Sequence, residues 1–143
     1  MRLSTYSDYS VRVLMQAALR QPGRVTVDEV ASTYGISRHH LVKVVHDLAK
    51  QGYLATRQGA GGGFTLATPA EQIGLGEIVR LGEESETVID CLDKAGCACR
   101  LLPSCRLKVA LDEAAAAFFA VLDGYTLADL IRQPTRLRAV LGL

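Results

Sequence analysis

Apolar residues recur at helical spacing from Tyr6 to Leu19, where Tyr9, Val13, Leu14 and Ala17 share one stripe, and Gln21-Pro22-Gly23 ends the run. Thr26-Val27-Asp28-Glu29 has the Thr-x-x-Glu form of a capping box, opening a helix that carries Val30 and Ala31. Gly35 suits the left-handed exit of that helix. Ser37 then caps a further helix with Leu41, Val44, Val45 and Leu48 on its apolar side, closed by Gly52. Two short helices joined by a glycine-containing turn, the second presenting Arg, Lys and His outward, form a helix-turn-helix pattern. Residues 53–56 and 64–67 read as two strands around Arg57-Gln58-Gly59-Ala60-Gly61-Gly62-Gly63, a glycine-rich connection in the position of a wing. That loop does not open a helix after a strand, so it matches neither a P-loop nor a dinucleotide fingerprint.

Beyond Pro69 the pattern predicts a short helix over 75–81. Periodicity then lapses from Gly82 to Pro103, a stretch rich in acids that reads as an irregular loop. From Cys105 or Arg106 to Leu122 helical spacing returns through Leu107, Ala110, Leu111, Ala114, Ala115, Phe118, Phe119 and Leu122. A helix apolar on more than one face needs two partners, which reads as a dimerisation helix; the competing reading is a fully buried core helix. A capped turn at 126–131 and a short helix after Pro134 complete the chain. The expected fold is mainly α with a small β-hairpin. Residues 1–82 form a winged helix-turn-helix domain, 83–105 a cysteine-rich loop, and 106–143 the dimerisation helix with a C-terminal segment.

At 143 residues the chain is long enough for a proper core. No uncharged apolar run approaches the ~20 residues that cross a bilayer, and the first residues lack a secretory h-region, so no membrane role and a cytoplasmic location are expected. The net charge of +1 hides an asymmetry. Residues 1–60 hold eight Lys/Arg against four acids, and the remainder eight against eleven. All three histidines, His39, His40 and His46, fall in the basic part. Such a division suits an N-terminal half that faces phosphates.

The sharpest chemical signal is a cluster of four cysteines: Cys91, Cys97, Cys99 and Cys105 lie within fifteen residues, separated by five, one and five others. In a reduced compartment such a group points to a metal or redox site rather than to disulfides. Thiolates suit iron–sulfur clusters and zinc. A structural zinc site usually shows two paired knuckles, which are absent, and the wide gaps favour a cluster; zinc and thiol-based redox sensing remain the alternatives. Cys-x-x-Cys is missing, and no nucleophile–base pair stands out, so an enzyme is not expected.

These motifs resemble the iron–sulfur winged-helix transcription regulators typified by NsrR and IscR, and more closely the nitric-oxide-sensing repressors among them. The resemblance rests on Met1-Arg2-Leu3 with Tyr6-Ser7-Asp8-Tyr9, on residues 34–45, on Gly59-Ala60-Gly61-Gly62-Gly63, on residues 99–107 and on Leu122-Asp123-Gly124-Tyr125-Thr126-Leu127-Ala128-Asp129-Leu130. It implies a 4Fe–4S cluster on three loop cysteines, matched by Cys91, Cys99 and Cys105. Cys97 is a surplus thiol and an alternative middle ligand; Pro103 favours Cys99. IscR-like members use a histidine shortly after the last cysteine, whereas Arg106, Leu107 and Lys108 follow here and no histidine lies beyond His46. The nitric-oxide-sensing members complete the site with an N-terminal aspartate of the partner subunit, a position matched by Asp8. The resemblance thus implies a homodimeric repressor that nitric oxide releases from DNA.

For the double-stranded DNA partner, the helix from Ser37 to Gln51 is expected in the major groove. Arg38, His39 and His40 are the candidate base readers, Ser37 and Lys43 candidate phosphate contacts, and Arg57 and Gln58 wing contacts to a phosphate or the minor groove. Two-fold pairing predicts a palindromic operator with half-sites about one helical turn apart.

Overall fold

The computed structural model describes residues 2–83 and 99–143. Cys91, Cys97 and most of the irregular loop expected between Gly82 and Pro103 lie outside the described residues.

Helix α1 (Thr5–Leu19) starts at Ser4, whose Oγ accepts the Ser7 N–H at 3.0 Å. Its buried face holds the expected Val13, Leu14 and Ala17, together with Ser7, Ser10 and Gln16. Helix α2 (Val27–Tyr34) opens with the expected reciprocal cap: Thr26 N–H donates to Glu29 Oε2 at 2.7 Å and Glu29 N–H to Thr26 Oγ1 at 3.2 Å. It ends at Gly35, whose φ of 64° is the left-handed exit the sequence led us to expect. Helix α3 (Arg38–Lys50) buries Leu41, Val44, Val45 and Leu48. Ser37 occupies its N-cap position, but the hydroxyl makes no capping hydrogen bond, which corrects the expectation for that side chain.

Strands β1 (Leu54–Arg57) and β2 (Gly63–Leu66) pair antiparallel, with Leu54 opposite Leu66 and Arg57 opposite Gly63, each shifted by one residue from the sequence reading. Phe64 exchanges backbone hydrogen bonds with Val25 (2.8 and 3.0 Å), so the segment before α2 extends the hairpin by one bridge. A side chain on Gly63 would stand 2.6 Å from the Val25 carbonyl oxygen, at a φ of 133°, so this pairing requires glycine.

A 3₁₀ turn at Ala70–Gln72 leads into α4 (Leu75–Gly82), which packs along α1. A second 3₁₀ turn (Leu102–Ser104) precedes the long α5 (Arg106–Asp123), followed by α6 (Leu127–Leu130) and α7 (Pro134–Leu141). α6 repeats the capping box, with Thr126 and Asp129. One core runs from Val13 and Leu14 through Val25, Val30, Leu41 and Leu48 to Phe64, Ile73, Ile78 and Leu127. Leu127 N–H bonds the Ile73 carbonyl (2.8 Å) and Leu75 N–H the Tyr125 carbonyl (2.9 Å), stitching the C-terminal segment to α4. Within one chain α5 buries only Ala115 and Phe119, and leaves Leu107, Val109 and Val121 more than half exposed.

Candidate nucleic-acid interface and metal centre

The apolar stripe of α3 anchors the helix, so its opposite face stands clear. Ser37, Arg38, His39, His40 and Lys43 are all exposed on it. His39, His40 and Lys43 share a concavity of about 320 Å³ with Thr5, Tyr6 and Tyr9 of α1. The His40 ring centroid is 6.3 Å from that of Tyr9 and 6.0 Å from that of His39. Sequence reasoning missed this contribution of α1. Its trace is the pair of tyrosines three residues apart in the first turns of α1, of which Tyr9 reads as part of the core stripe and is only partly buried. Arg57 and Gln58 are exposed at the hairpin, on a separate element.

Arg38 is not a lone side chain: its Nε donates to Asp28 Oδ1 of α2 at 2.7 Å. Tyr6 ties α1 to α3 through a 3.3 Å hydrogen bond to Asp47 Oδ2. Burial, reinforced by the Asp47 carboxylate, pushes the Tyr6 phenol up to about 12. Tyr53, on the strand side of α3, bonds the Glu77 carboxylate of α4, and its phenol is likewise raised, first by burial and then by Glu77.

Of the expected cysteine ligands, the described residues hold Cys99, which is exposed, and Cys105, which is half-buried; neither forms a disulfide. Cys105 caps α5, its Sγ accepting the Lys108 N–H at 3.4 Å. The positive end of an 18-residue helix accommodates the negative charge that a metal-bound sulfur carries. Soft sulfur donors in this setting fit a thiophilic metal group. Asp8 accepts both contacts of the Arg12 Nε, at 2.9 and 3.0 Å, and Arg12 in turn lies 5.3 Å over the Tyr34 ring at the end of α2. Among the described residues no three His, Cys, Asp or Glu side chains converge, so Asp8 and the two cysteines are not brought together within one chain's described part.

A polar clamp lies beside Asp8. Glu83 Oε1 accepts the Ser4 N–H at 2.9 Å and the Ser7 hydroxyl at 2.7 Å, while Ser4 Oγ donates to the Gly82 carbonyl at 2.8 Å. Glu83, which directly precedes residues outside the described part, is therefore bonded to the first turn of α1.

The sequence matches the family described as Rrf2, iron-dependent transcriptional regulator, over residues 3–133. It is 43% identical over 133 residues to the HTH-type transcriptional regulator NsrR of Bacillus subtilis, covering 92% of this chain and 91% of the relative. With the regulator of the same name from Geobacillus kaustophilus it shares 42% over 142 residues, 99% and 97% of the two chains. Among solved structures it resembles T. potens IscR (TM-score 0.72, 26% identity, 92% and 87% covered). CymR, the global cysteine regulator of B. subtilis, shares the fold (TM-score 0.71, 24% identity, 91% and 95% covered). Among the described residues no helix is long and apolar enough to cross a membrane. The relatives are winged-helix transcriptional regulators rather than enzymes, and the chain belongs with them to the Rrf2 family of transcriptional regulators.

Proposed function

We propose that this chain is a cytoplasmic DNA-binding repressor whose hold on a palindromic operator is released by nitric oxide. The sensing group is an iron–sulfur cluster, of 4Fe–4S type, held by Cys91, Cys99, Cys105 and Asp8 of the partner subunit, with Cys97 as the alternative middle ligand. When bound, such a group supplies iron sites that react with nitric oxide. The division follows the sequence: residues 1–82 read DNA, 83–105 carry the cluster ligands, and α5 with the C-terminal segment pairs two chains. The bare Leu107, Val109 and Val121 of α5 support that pairing.

One observation carries the reading: the clamp of Glu83 on Ser4 and Ser7. It joins the start of the cysteine-bearing stretch to the helix that bears Asp8. That helix is in turn bonded to α3 through Tyr6 and Asp47 and stacked beside His40. A change at the cysteines thus reaches the recognition helix through two packed elements. Allostery requires a contact that differs between two states, and a partner-supplied Asp8 provides one, since its alternative is the Arg12 pair seen here. On the DNA side, Arg38, His39 and His40 read base edges, Ser37 and Lys43 hold phosphates, and Arg57 and Gln58 extend the contact from the wing.

The test is iron, acid-labile sulfide and zinc per subunit in protein purified without oxygen, followed by DNA mobility shifts during titration with nitric oxide. Near-equal iron and sulfide, with DNA released as nitric oxide is added, is the expected result. Zinc in a colourless protein overturns the sensor and leaves a DNA-binding module with a structural metal; a metal-free protein that leaves DNA on thiol oxidation makes it a thiol sensor.

A further inference from the structure

Arg38 and Asp28 pair across the two helices of the helix-turn-helix, with 65% and 73% of their side chains accessible. A pair so open adds little to stability. On a face that approaches phosphates, a carboxylate also weakens the general attraction for DNA. Its geometry gives it another use. A guanidinium carries five N–H donors in a planar fork, and Asp28 takes the Nε–H alone. Among the described residues, both Nη groups of Arg38 donate to nothing. Arg80 shows the contrasting case: its Nη1 and Nη2 are both spent on Asp123, at 2.5 and 2.9 Å.

The open end of the Arg38 fork is the part that matches guanine O6 and N7. Arg38 is the first residue of α3, the end that lies nearest base edges in helix-turn-helix complexes. Asp28 is delivered by a firm frame, since it sits in the first turn of α2 beside the Thr26–Glu29 capping box, and the left-handed Gly35 fixes the turn into α3.

We propose that Asp28 is a specificity-determining residue, which holds the Arg38 fork outward for one guanine and keeps that arginine from settling on a phosphate. The inference rests on the reading of α3 as the DNA-reading helix. A tethered arginine has less freedom to lose on contact with its base, and a side chain bonded at Nε is a poorer partner for backbone oxygens off the operator.

The experiment starts with selection from a pool of duplexes randomised over both half-sites, using the wild-type dimer. The enriched duplex is then compared with one in which its most strongly selected guanine is replaced by adenine. Binding is titrated for wild type, Asp28→Ala, Arg38→Ala and the double variant, and for all four on a random-sequence duplex. The expected result is a roughly tenfold loss of guanine-over-adenine discrimination in Asp28→Ala, within the range one bidentate contact supplies. Random-duplex affinity rises in the same variant, and adding Arg38→Ala costs no further discrimination. Unchanged discrimination in Asp28→Ala, or losses from the two single variants that multiply, overturns the proposal. If Asp28→Ala melts early, Asp28→Asn takes its place and must also lower discrimination while tightening random-duplex binding. A wild-type protein that selects no sequence from the pool overturns the reading of α3 itself, before any variant is made.

Discussion

Ser7 lies so tightly over Gly82 that a methyl group added to the glycine would collide with its Oγ and sit 2.8 Å from its backbone nitrogen. The glycine is what lets the end of α4 approach the first turn of α1 closely enough for Glu83 to reach Ser4 and Ser7. Gly82→Ala should therefore cost about 1–3 kcal/mol, the usual penalty of overpacking a close contact. Denaturant unfolding would show it as a lowered midpoint at unchanged slope. Stability equal to wild type would mean that α1 and α4 slide apart freely, and the clamp would then transmit nothing.

The caps offer an internal comparison. Thr26→Ala removes a hydroxyl that satisfies the Glu29 N–H and should cost about 1 kcal/mol. Ser37→Ala removes one that makes no capping bond and should leave the unfolding midpoint nearly unchanged. If Ser37 holds a phosphate, its loss appears only in DNA titrations, as weaker binding with an unchanged salt dependence, since a neutral hydroxyl displaces no counterion.

Much of this was legible because it is local. The Thr26–Glu29 box, the Gly35 exit and the α3 stripe are set within a few residues, where spacing alone fixes the geometry. The hairpin and the capped turn at 126–131 were legible for the same reason. Ser7, Ser10 and Gln16 were not: polar residues in a helix read as solvent-facing, yet all three are buried. The partners of Ser7 and Gln16 explain why the sequence conceals those two. Ser7 meets Glu83 across 76 residues and Gln16 meets Thr33 across 17, and no periodicity records a pairing at such range. The Asp28–Arg38 bond, ten residues apart, depends on how α2 turns into α3. For the proposed metal centre the residue types are legible in the sequence, but the proposed ligand set draws on residues outside the described part and on a second chain.

Arg80 carries two loads. It binds Asp123 through both Nη groups and lies 4.5 Å over the Phe119 ring, fastening α5 to α4. Asp123→Ala removes only an exposed ion pair and should lower the unfolding midpoint slightly. Arg80→Ala also strips the guanidinium from the aromatic face and should cost more, by about 0.5–1 kcal/mol. Lysine at position 80 cannot reproduce the fork and should recover only part of the difference. Thermal unfolding of the three variants at low and high salt would rank them, and only the Asp123→Ala loss should vanish in salt.

Alkaline stability should report on the α1–α3 contact and on the contact that Tyr53, just before β1, makes with α4. Tyr6 ionises at about 12 in the fold, against 10.0 ordinarily, because burial and the Asp47 carboxylate disfavour a phenolate. A group whose folded value is raised contributes its full stability below the unfolded value, and that contribution is lost as pH rises through the folded one. Stability should accordingly begin to fall above pH 10 and continue falling to about 12. Tyr53, raised by burial and Glu77, adds to the same slope. Tyr6→Phe should flatten part of it, which urea unfolding at several alkaline pH values would measure. A slope unaltered by the substitution would show that the Tyr6 environment persists after unfolding or is absent before it.

Asp8 separates ligation from folding. Its bond to Arg12 is an exposed pair one helical turn apart, worth about 0.3–0.5 kcal/mol. Asp8→Ala should therefore melt close to wild type. If Asp8 completes the cluster of the partner subunit, the same variant should bind iron less firmly and release DNA at a different nitric oxide concentration. Arg12→Ala is the control, since it breaks the same ion pair and leaves the carboxylate in place. The expected pattern is an altered nitric oxide response in Asp8→Ala alone, with a small shift in melting for that variant and a somewhat larger one for Arg12→Ala, which also loses its contact with the Tyr34 ring. Equal nitric oxide responses in the two variants would reduce Asp8 to a surface ion pair and return the fourth ligand to some other residue.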